Sequence, residues 1–192
     1  TTLTEQDWAP DCAPLILHSR ATDRATYLQR PDYGRRLDDQ SATILDEHTA
    51  MNQQPYDLVI AVVDGLSSLA IEQNTVSFLN ALFTHLKKTE SAENDAESNW
   101  SIAPICIVKQ GRVAIGDDIC QRLNAKCVLV LIGERPGLSS PDSLGLYLTW
   151  KGKIGLTDAS RNCISNIRPA GLIYQEAARK AFYLLGEARS LK

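Results

Sequence analysis

Four short apolar runs along the chain predict the strands of a sheet. Each run is free of charged residues and rich in Val, Ile, Leu or aromatic residues, which favours extended structure. Runs of this kind are typical of strands that are covered on both faces, as in a parallel sheet. The predicted strands are residues 58–63, 101–108, 127–132 and 144–150.

The segments between these runs predict helices. Apolar residues recur at helical spacing in residues 66–86 and 115–123, and in a last helix at about 171–189. Asp117 and Asp118 fall near the positive end of the middle helix, where negative charge is favourable. Because strands and helices alternate, we predict an α/β fold with a Rossmann-like parallel sheet and helices on both faces.

The first 55 residues follow a different pattern. Residues 1–13 are polar, residues 14–18 predict an edge strand or part of an arm, and Pro31 separates two predicted helices. We therefore predict a mostly helical N-terminal arm, 1–55, that makes subunit contacts, ahead of a Rossmann-like domain, 56–192. The arm is rich in arginine, which either forms a solvated face or docks onto an acidic partner or a phosphate. These arginines are Arg20, Arg24, Arg30, Arg35 and Arg36.

The ends of the predicted parallel strands indicate where a ligand would bind. In open α/β sheets, ligands bind beyond the carboxyl ends of the strands. Three such ends, at residues 64–65, 109–113 and 133–137, are expected on one rim. Asp64 at the first of these ends either caps the helix that begins near Leu66 or contacts a ligand.

Glu134 follows the predicted strand 127–132 almost directly. A carboxylate at the end of a buried strand costs desolvation energy unless it is paired or hydrogen-bonded. Glu134 therefore either pairs with the neighbouring Arg135 or accepts hydrogen bonds from amide groups of a ligand. Pro136 and Gly137 fix the following turn, and small residues after it suit a loop packed against something flat and bulky. These small residues are Ser139, Ser140 and Ser143.

Composition and motif content exclude several classes of protein. The net charge of −3 argues against a dedicated nucleic-acid-binding protein, which is normally basic. No apolar run approaches the roughly 20 residues of a membrane-spanning helix, and we expect no secretory signal. The five cysteines contain no CxxC pair, which indicates reduced thiols in the cytoplasm. Neither GxGxxG after a strand nor GxxxxGK[ST] is present, so a tightly held nucleotide is not expected.

The positions of histidine argue against nucleophilic catalysis at the rim. The three histidines are His18, His48 and His85, and none follows position 85. A Ser-His or Cys-His arrangement on the rim would therefore need a histidine that is distant in the sequence. Cys163 is interpreted as a small polar thiol in a turn, and the alternative is the nucleophile of a cysteine hydrolase. The residues alone thus predict a parallel α/β domain with space for a ligand at the carboxyl ends of its strands and without a complete set of catalytic residues.

Five long motifs occur along the chain: LQRPDYGRRL, LVIAVVDGLS, IVKQGRVAIGDDI, GERPGLSSPDSLGLYLTW and TDASRNCISNIRPAGLIYQEAA. They closely resemble the light (small) subunit of adenosylcobalamin-dependent ethanolamine ammonia-lyase. They follow that family's order from about Leu15 to Arg189, so the resemblance covers most of the chain.

The resemblance implies a role in a radical enzyme that converts ethanolamine to acetaldehyde and ammonia. In the family, a barrel-shaped large subunit holds ethanolamine, and the corrin lies between the two subunits. The resemblance therefore implies a hetero-oligomer with the large subunit, no catalytic residue in this chain, and a cytoplasmic location inside a bacterial microcompartment.

The resemblance also implies which residues contact the cofactor, adenosylcobalamin. They are Val113 after the GR of GRV, Glu134 of GERPGL and Cys163 of CISNI. No DxHxxG motif is present, which implies that the cofactor keeps its own benzimidazole as lower ligand (the base-on form). The alternative is a free-standing α/β binding module for a corrinoid or a nucleotide, without lyase activity.

Overall fold

The computed structural model describes most of the chain and shows a mixed α/β fold. The predictions for most of residues 1–13 and for nearly all of the acidic segment 89–99 fall outside the described residues. The described residues are 13–52, 54–90, 100–134 and 140–190.

The described residues form six strands in one sheet, together with five α-helices. The strands are β1 (Leu15–His18), β2 (Tyr56–Val63), β3 (Cys106–Lys109), β4 (Ala125–Gly133), β5 (Leu144–Trp150) and β6 (Arg161–Ile167). The helices are α1 (Arg24–Gln29), α2 (Asp39–Met51), α3 (Ser68–Glu90), α4 (Ile115–Arg122) and α5 (Tyr174–Ser190). Across the sheet the strands are ordered β1-β3-β2-β4-β5-β6.

The sheet is mixed, which corrects the predicted parallel sheet. The neighbours β1–β3, β3–β2 and β2–β4 are parallel, whereas the pairs β4–β5 and β5–β6 are antiparallel. Residues 134–143 alone join β4 to β5, and so short a connection cannot hold the crossover helix that parallel neighbours need. The pattern of hydrophobic residues did not predict β6, because only Ile164 and Ile167 of this strand are buried.

Both faces of the central strands are buried, as the apolar runs predicted. Every residue of β2 is buried. Its even-numbered residues from 58 to 62 face a core shared with α3 and α5, and its odd-numbered residues from 59 to 63 face a second core with α2 and α4. This division follows from the period of two along a strand.

The carboxyl ends of β2, β3 and β4 lie together on one rim, as their parallel order predicted. The Asp64 carboxylate accepts hydrogen bonds from the backbone N–H groups of Gln110 (2.9 Å) and Gly111 (3.3 Å). The N–H of Leu66 donates to the carbonyl of Gly133 (2.9 Å) at the end of β4. Asp64 therefore joins two strand ends, and its alternative role as a ligand contact stays a prediction.

A different residue from Asp64 caps the helix that follows β2. That helix, α3, begins at Ser68. The hydroxyl of Ser67 accepts a hydrogen bond from the N–H of Ala70 (3.3 Å) in its first turn, which is the interaction of an N-cap.

The region before β2 contacts the rest of the molecule closely. The predicted edge strand exists as β1, which pairs with β3. Arg24 donates to the carbonyl of Gly65 (2.7 Å) on the rim, and Arg36 pairs with the buried Asp118 (2.9 Å). At least two of the five arginines therefore bind within the chain. The division into an arm and a second domain stays a prediction.

Two buried carboxylates at the start of α4 hold distant parts of the chain together. Asp117 accepts two hydrogen bonds from the guanidinium of Arg161, both 2.7 Å, and each of the two side chains is only 2% exposed. The fully buried carboxylate of Asp118 accepts from Arg36 and from Arg122, both at 2.9 Å. The two aspartates lie at the positive end of the helix, as predicted. They also form ion pairs, Asp117 with β6 and Asp118 with the N-terminal region.

We expect Asp117→Ala to lower the free energy of unfolding by about 3–5 kcal/mol, because it leaves the buried Arg161 without its main partner. Urea denaturation followed by circular dichroism measures this loss. The matched control is Asp46→Ala, which removes an exposed partner of Arg122 and is expected to cost less than about 1 kcal/mol. Equal losses in the two variants would contradict the central role of the buried pair.

Candidate functional site

Glu134 lies at the carboxyl end of β4, and its side chain extends over β5. Its N–H donates to the carbonyl of Ser143 (3.1 Å), which continues the pairing of the two strands. Its carboxyl group lies above Gly145, where a Cβ atom would come within 2.6 Å of the carboxyl carbon. The missing side chain at Gly145 therefore leaves the space that the carboxylate occupies.

Tyr147 is the hydrogen-bond donor for this carboxylate. Its hydroxyl donates to Oε1 of Glu134. Burial raises the pKa of the Tyr147 hydroxyl well above its usual value, and the hydrogen bond to Glu134 raises it further. The hydroxyl consequently stays protonated throughout the physiological pH range. The predicted alternative partner, Arg135, lies outside the described residues, and the partner that the structure shows is Tyr147.

Cys163 lies in β6 and not in a turn, which corrects the sequence-based interpretation. It is directly paired with Tyr147 across β5 and β6. The residue is exposed at the surface of the edge strand. The antiparallel register thus places Cys163 beside the tyrosine that holds Glu134, although 29 positions in the sequence separate the two predicted contact residues.

The surroundings of Cys163 do not suit a catalytic nucleophile. Desolvation by the neighbouring protein raises the pKa of its thiol, Tyr147 lowers it and the Glu134 carboxylate raises it, so that the net shift of the pKa is upward. A raised pKa keeps the thiol protonated at neutral pH, whereas the nucleophile is the thiolate. The three histidines lie against other groups: His18 against the carbonyl of Ser19, His48 against Tyr56 and His85 against Phe182. The geometry therefore offers no support for a cysteine hydrolase.

Val113 lies between β3 and α4 on the same face of the sheet as Tyr147. Its carbonyl accepts a hydrogen bond from the N–H of Gly116 (3.1 Å) at the start of α4. Gly116 approaches β4 so closely that a Cβ atom there would lie 2.4 Å from a methyl carbon of Val130. Val113 and Tyr147 are both half-buried against the core that contains Val130. Among the described residues, no hydrogen bond joins Val113 to Glu134 or to Cys163.

The base of the loop after Glu134 is held by side chains from neighbouring elements. The hydroxyl of Ser67 donates to the carbonyl of Pro141 (2.6 Å), and Asn74 of α3 donates to the carbonyl of Asp142 (2.7 Å). Arg168 pairs with the carboxylate of Asp142 (3.0 Å). These contacts fix where the chain enters β5. The predicted packing of the loop's small residues against a flat partner stays a prediction.

The arrangement can accept hydrogen bonds from a ligand. Tyr147 occupies Oε1 of Glu134, and within the described part of the chain no donor is recorded for Oε2. Helix α4 packs on β2 and β4, whereas α3 and α5 cover β5 and β6 from the opposite face. Among the described residues, the face that carries Tyr147 and Cys163 therefore borders α4.

Tyr147 is the residue of the candidate site that the sequence pattern did not identify. The signal was present in LGLYLTW, where Leu144, Leu146 and Leu148 alternate with other residue types. The leucines face the core with α3 and α5, so the tyrosine faces the other side of the sheet. Alternation of this kind identifies a residue on the second face, but it does not identify the residue's partner.

Among the described residues, no group of three or more His, Cys, Asp or Glu side chains is placed to hold a metal ion. No helix in the same part of the chain is long and apolar enough to cross a membrane.

Comparison with known proteins gives consistent matches over nearly the whole chain. Residues 2–192 match the family model described as ethanolamine ammonia-lyase light chain (EutC). A protein of Pseudomonas fluorescens (strain Pf0-1) named ethanolamine ammonia-lyase small subunit is 57% identical over 174 residues, which are 91% of this chain and 60% of that protein. A protein of the same name from Ralstonia nicotianae is 51% identical over 176 residues, 92% of this chain and 62% of its own length. The chain thus spans about three fifths of the length of the curated relatives it matches.

We expect Cys163 to react with iodoacetamide at pH 7 sooner than the buried Cys106, Cys120 and Cys127, because it alone of these four is exposed. We also expect it to react more slowly than a free cysteine, because a raised pKa leaves less thiolate. The rate should go on rising at alkaline pH after that of a free cysteine has levelled off. Peptide mass spectrometry measures each site separately. A rate above that of free cysteine at pH 7 would restore the nucleophile hypothesis.

Proposed function

The chain belongs to the ethanolamine ammonia-lyase light-chain family, and from this premise we propose that it completes the adenosylcobalamin site of that enzyme. The reaction is the conversion of ethanolamine to acetaldehyde and ammonia. The cofactor would lie between this chain and the large subunit, which would hold the substrate. The observation that carries the proposal is the Glu134 carboxylate, held by Tyr147 with one oxygen directed to no described donor.

The residues present suit the chemistry of this cofactor. The rim of a corrin carries amide side chains, and a carboxylate is a strong acceptor for their N–H groups. Glu134 would accept such a hydrogen bond. Cys163 offers a small, protonated and exposed side chain on the neighbouring strand. Val113 offers a half-buried apolar surface at the start of α4.

The role of the chain would be to bind and orient the cofactor. When bound, adenosylcobalamin supplies the radical chemistry, and the protein supplies position and electrostatics. Glu134, Cys163 and Val113 are accordingly contact residues, and we assign no catalytic acid, base or nucleophile to this chain. His48 and His85 lie against Tyr56 and Phe182, and the sequence carries no DxHxxG motif. Both observations support the base-on form of the cofactor.

The proposed assembly is a hetero-oligomer of this chain with the large subunit, packaged in a bacterial microcompartment. The names of the relatives support a partner, because each relative is called a small subunit. The isolated chain is expected to be inactive, since the substrate would bind to the large subunit.

We expect lyase activity only when this chain, a cognate large subunit and adenosylcobalamin are combined. Acetaldehyde formation in the reconstituted complex, with each chain omitted in turn, measures this requirement. Binding of cobalamin or a nucleotide by the chain alone, with no gain of activity on mixing, would instead support a free-standing binding module.

In the reconstituted complex, we expect Glu134→Gln to weaken adenosylcobalamin binding about tenfold or more, because a charge-assisted hydrogen bond becomes a neutral one. The free energy of unfolding should change little, since glutamine keeps the shape and still accepts from Tyr147. A spectroscopic titration with the cofactor measures the affinity. The matched control is Glu176→Gln, the same change at an exposed ion pair of α5. Equal affinities in the two variants would count against the Glu134 contact.

A further inference from the structure

We propose that Tyr147 is a positioning residue, which orients the Glu134 carboxylate for its contact with the cofactor. This inference rests on the proposed function, because it concerns the same site. It assigns a role to a side chain that neither the pattern of the sequence nor the family resemblance indicated.

Tyr147 lies in a strand that is paired on both edges. Its backbone pairs with Val130 of β4 on one side and with Cys163 of β6 on the other. Its neighbours in β5, Leu146 and Leu148, are buried in the core with α3 and α5. The phenol ring therefore projects from a strand that is held on both edges and on its opposite face.

Glu134, in contrast, stands at the start of a loop. Its side chain has three rotatable bonds. The Tyr147 hydroxyl donates a hydrogen bond to its carboxyl group, which lies close to Gly145. A carboxylate without the tyrosine would sample several orientations. Fixing it before the ligand arrives removes part of the entropy cost of binding.

The direction of the hydrogen bond determines what remains available to a ligand. The tyrosine hydroxyl has one proton, and burial together with Glu134 keeps that proton on the oxygen. It therefore donates to Oε1 and leaves Oε2 as an acceptor. A ligand group that donates an N–H, such as a carboxamide, fits this arrangement, whereas a second carboxylate would meet like charge.

A purely structural role for Tyr147 makes a different prediction. Elsewhere in the chain, Tyr56 at the start of β2 also uses its hydroxyl in polar contacts, with His48 (2.9 Å) and Asn52. Removal of that hydroxyl would affect stability without affecting a ligand at the other end of the strands. Tyr56→Phe is therefore the matched control for Tyr147→Phe.

The test is a double-mutant cycle in the assembled complex with the large subunit, with adenosylcobalamin as the titrated probe. We expect Tyr147→Phe to weaken binding about five- to tenfold. In a Glu134→Ala background, the same change should alter affinity less than about twofold, because the group that Tyr147 orients is gone. Alanine is used here because glutamine would still accept from the tyrosine. At saturating cofactor, kcat should stay within about twofold of the wild-type value, so the effect appears in the KM for cofactor.

The outcomes separate this inference from the proposed function. If the wild-type complex does not bind adenosylcobalamin, both are overturned. If Glu134→Ala weakens binding but Tyr147→Phe does not, or does so equally in both backgrounds, the positioning role alone is wrong. If Tyr56→Phe weakens binding as much as Tyr147→Phe, the effect is one of general stability and the positioning role is again wrong.

Discussion

The structure depends on two adjacent carboxylates, Asp117 and Asp118, that are buried at the start of α4. A buried charge without a partner is strongly unfavourable, so each aspartate requires its arginine to be in place. Asp117 binds Arg161, which is 44 positions away, and Asp118 binds Arg36, which is 82 positions away. One helical turn thereby joins both edges of the sheet, β6 at one edge and the segment that follows β1 at the other. Breaking either ion pair would leave a buried carboxylate with one partner fewer and would remove a bond that holds one edge of the sheet to α4.

These ion pairs also position the candidate site without belonging to it. Arg161 opens β6, so its bond to Asp117 fixes the start of the strand that carries Cys163 two residues later. The same bond fixes the start of α4 and with it the preceding Val113. The hydrogen bond from Tyr147 to Glu134 then joins β5 to the end of β4. The geometry that we assign to cofactor binding is thus held by contacts that lie beside the proposed ligand face.

The antiparallel extension of the sheet creates that face. Helix α4 packs on β2 and β4, while β5 and β6 continue the sheet past the helix. A fully parallel sheet would need a crossover helix between each pair of strands, and such a helix would cover this surface. The short connection after Glu134 therefore has two consequences. It turns β5 back against β4, and it leaves Tyr147 and Cys163 beside a surface that a second subunit can cover in the proposed enzyme.

The sequence by itself determined the strands with continuous apolar runs, including the bounds of β5, and the common rim of the parallel strands. Of the predicted strand 101–108, however, only the last three residues lie in β3. These strands can be predicted locally because a strand that is buried on both faces has an apolar residue at nearly every position. The same pattern could not reveal β6, whose residues are mostly exposed, or the antiparallel direction of β5. Val113, Glu134 and Cys163 were predicted from family motifs, and no local rule shows that Glu134 and Cys163 both lie beside Tyr147. Only the tertiary structure decided the partners of Glu134, Asp64, Asp117 and Asp118, because each bond joins residues that lie far apart along the chain.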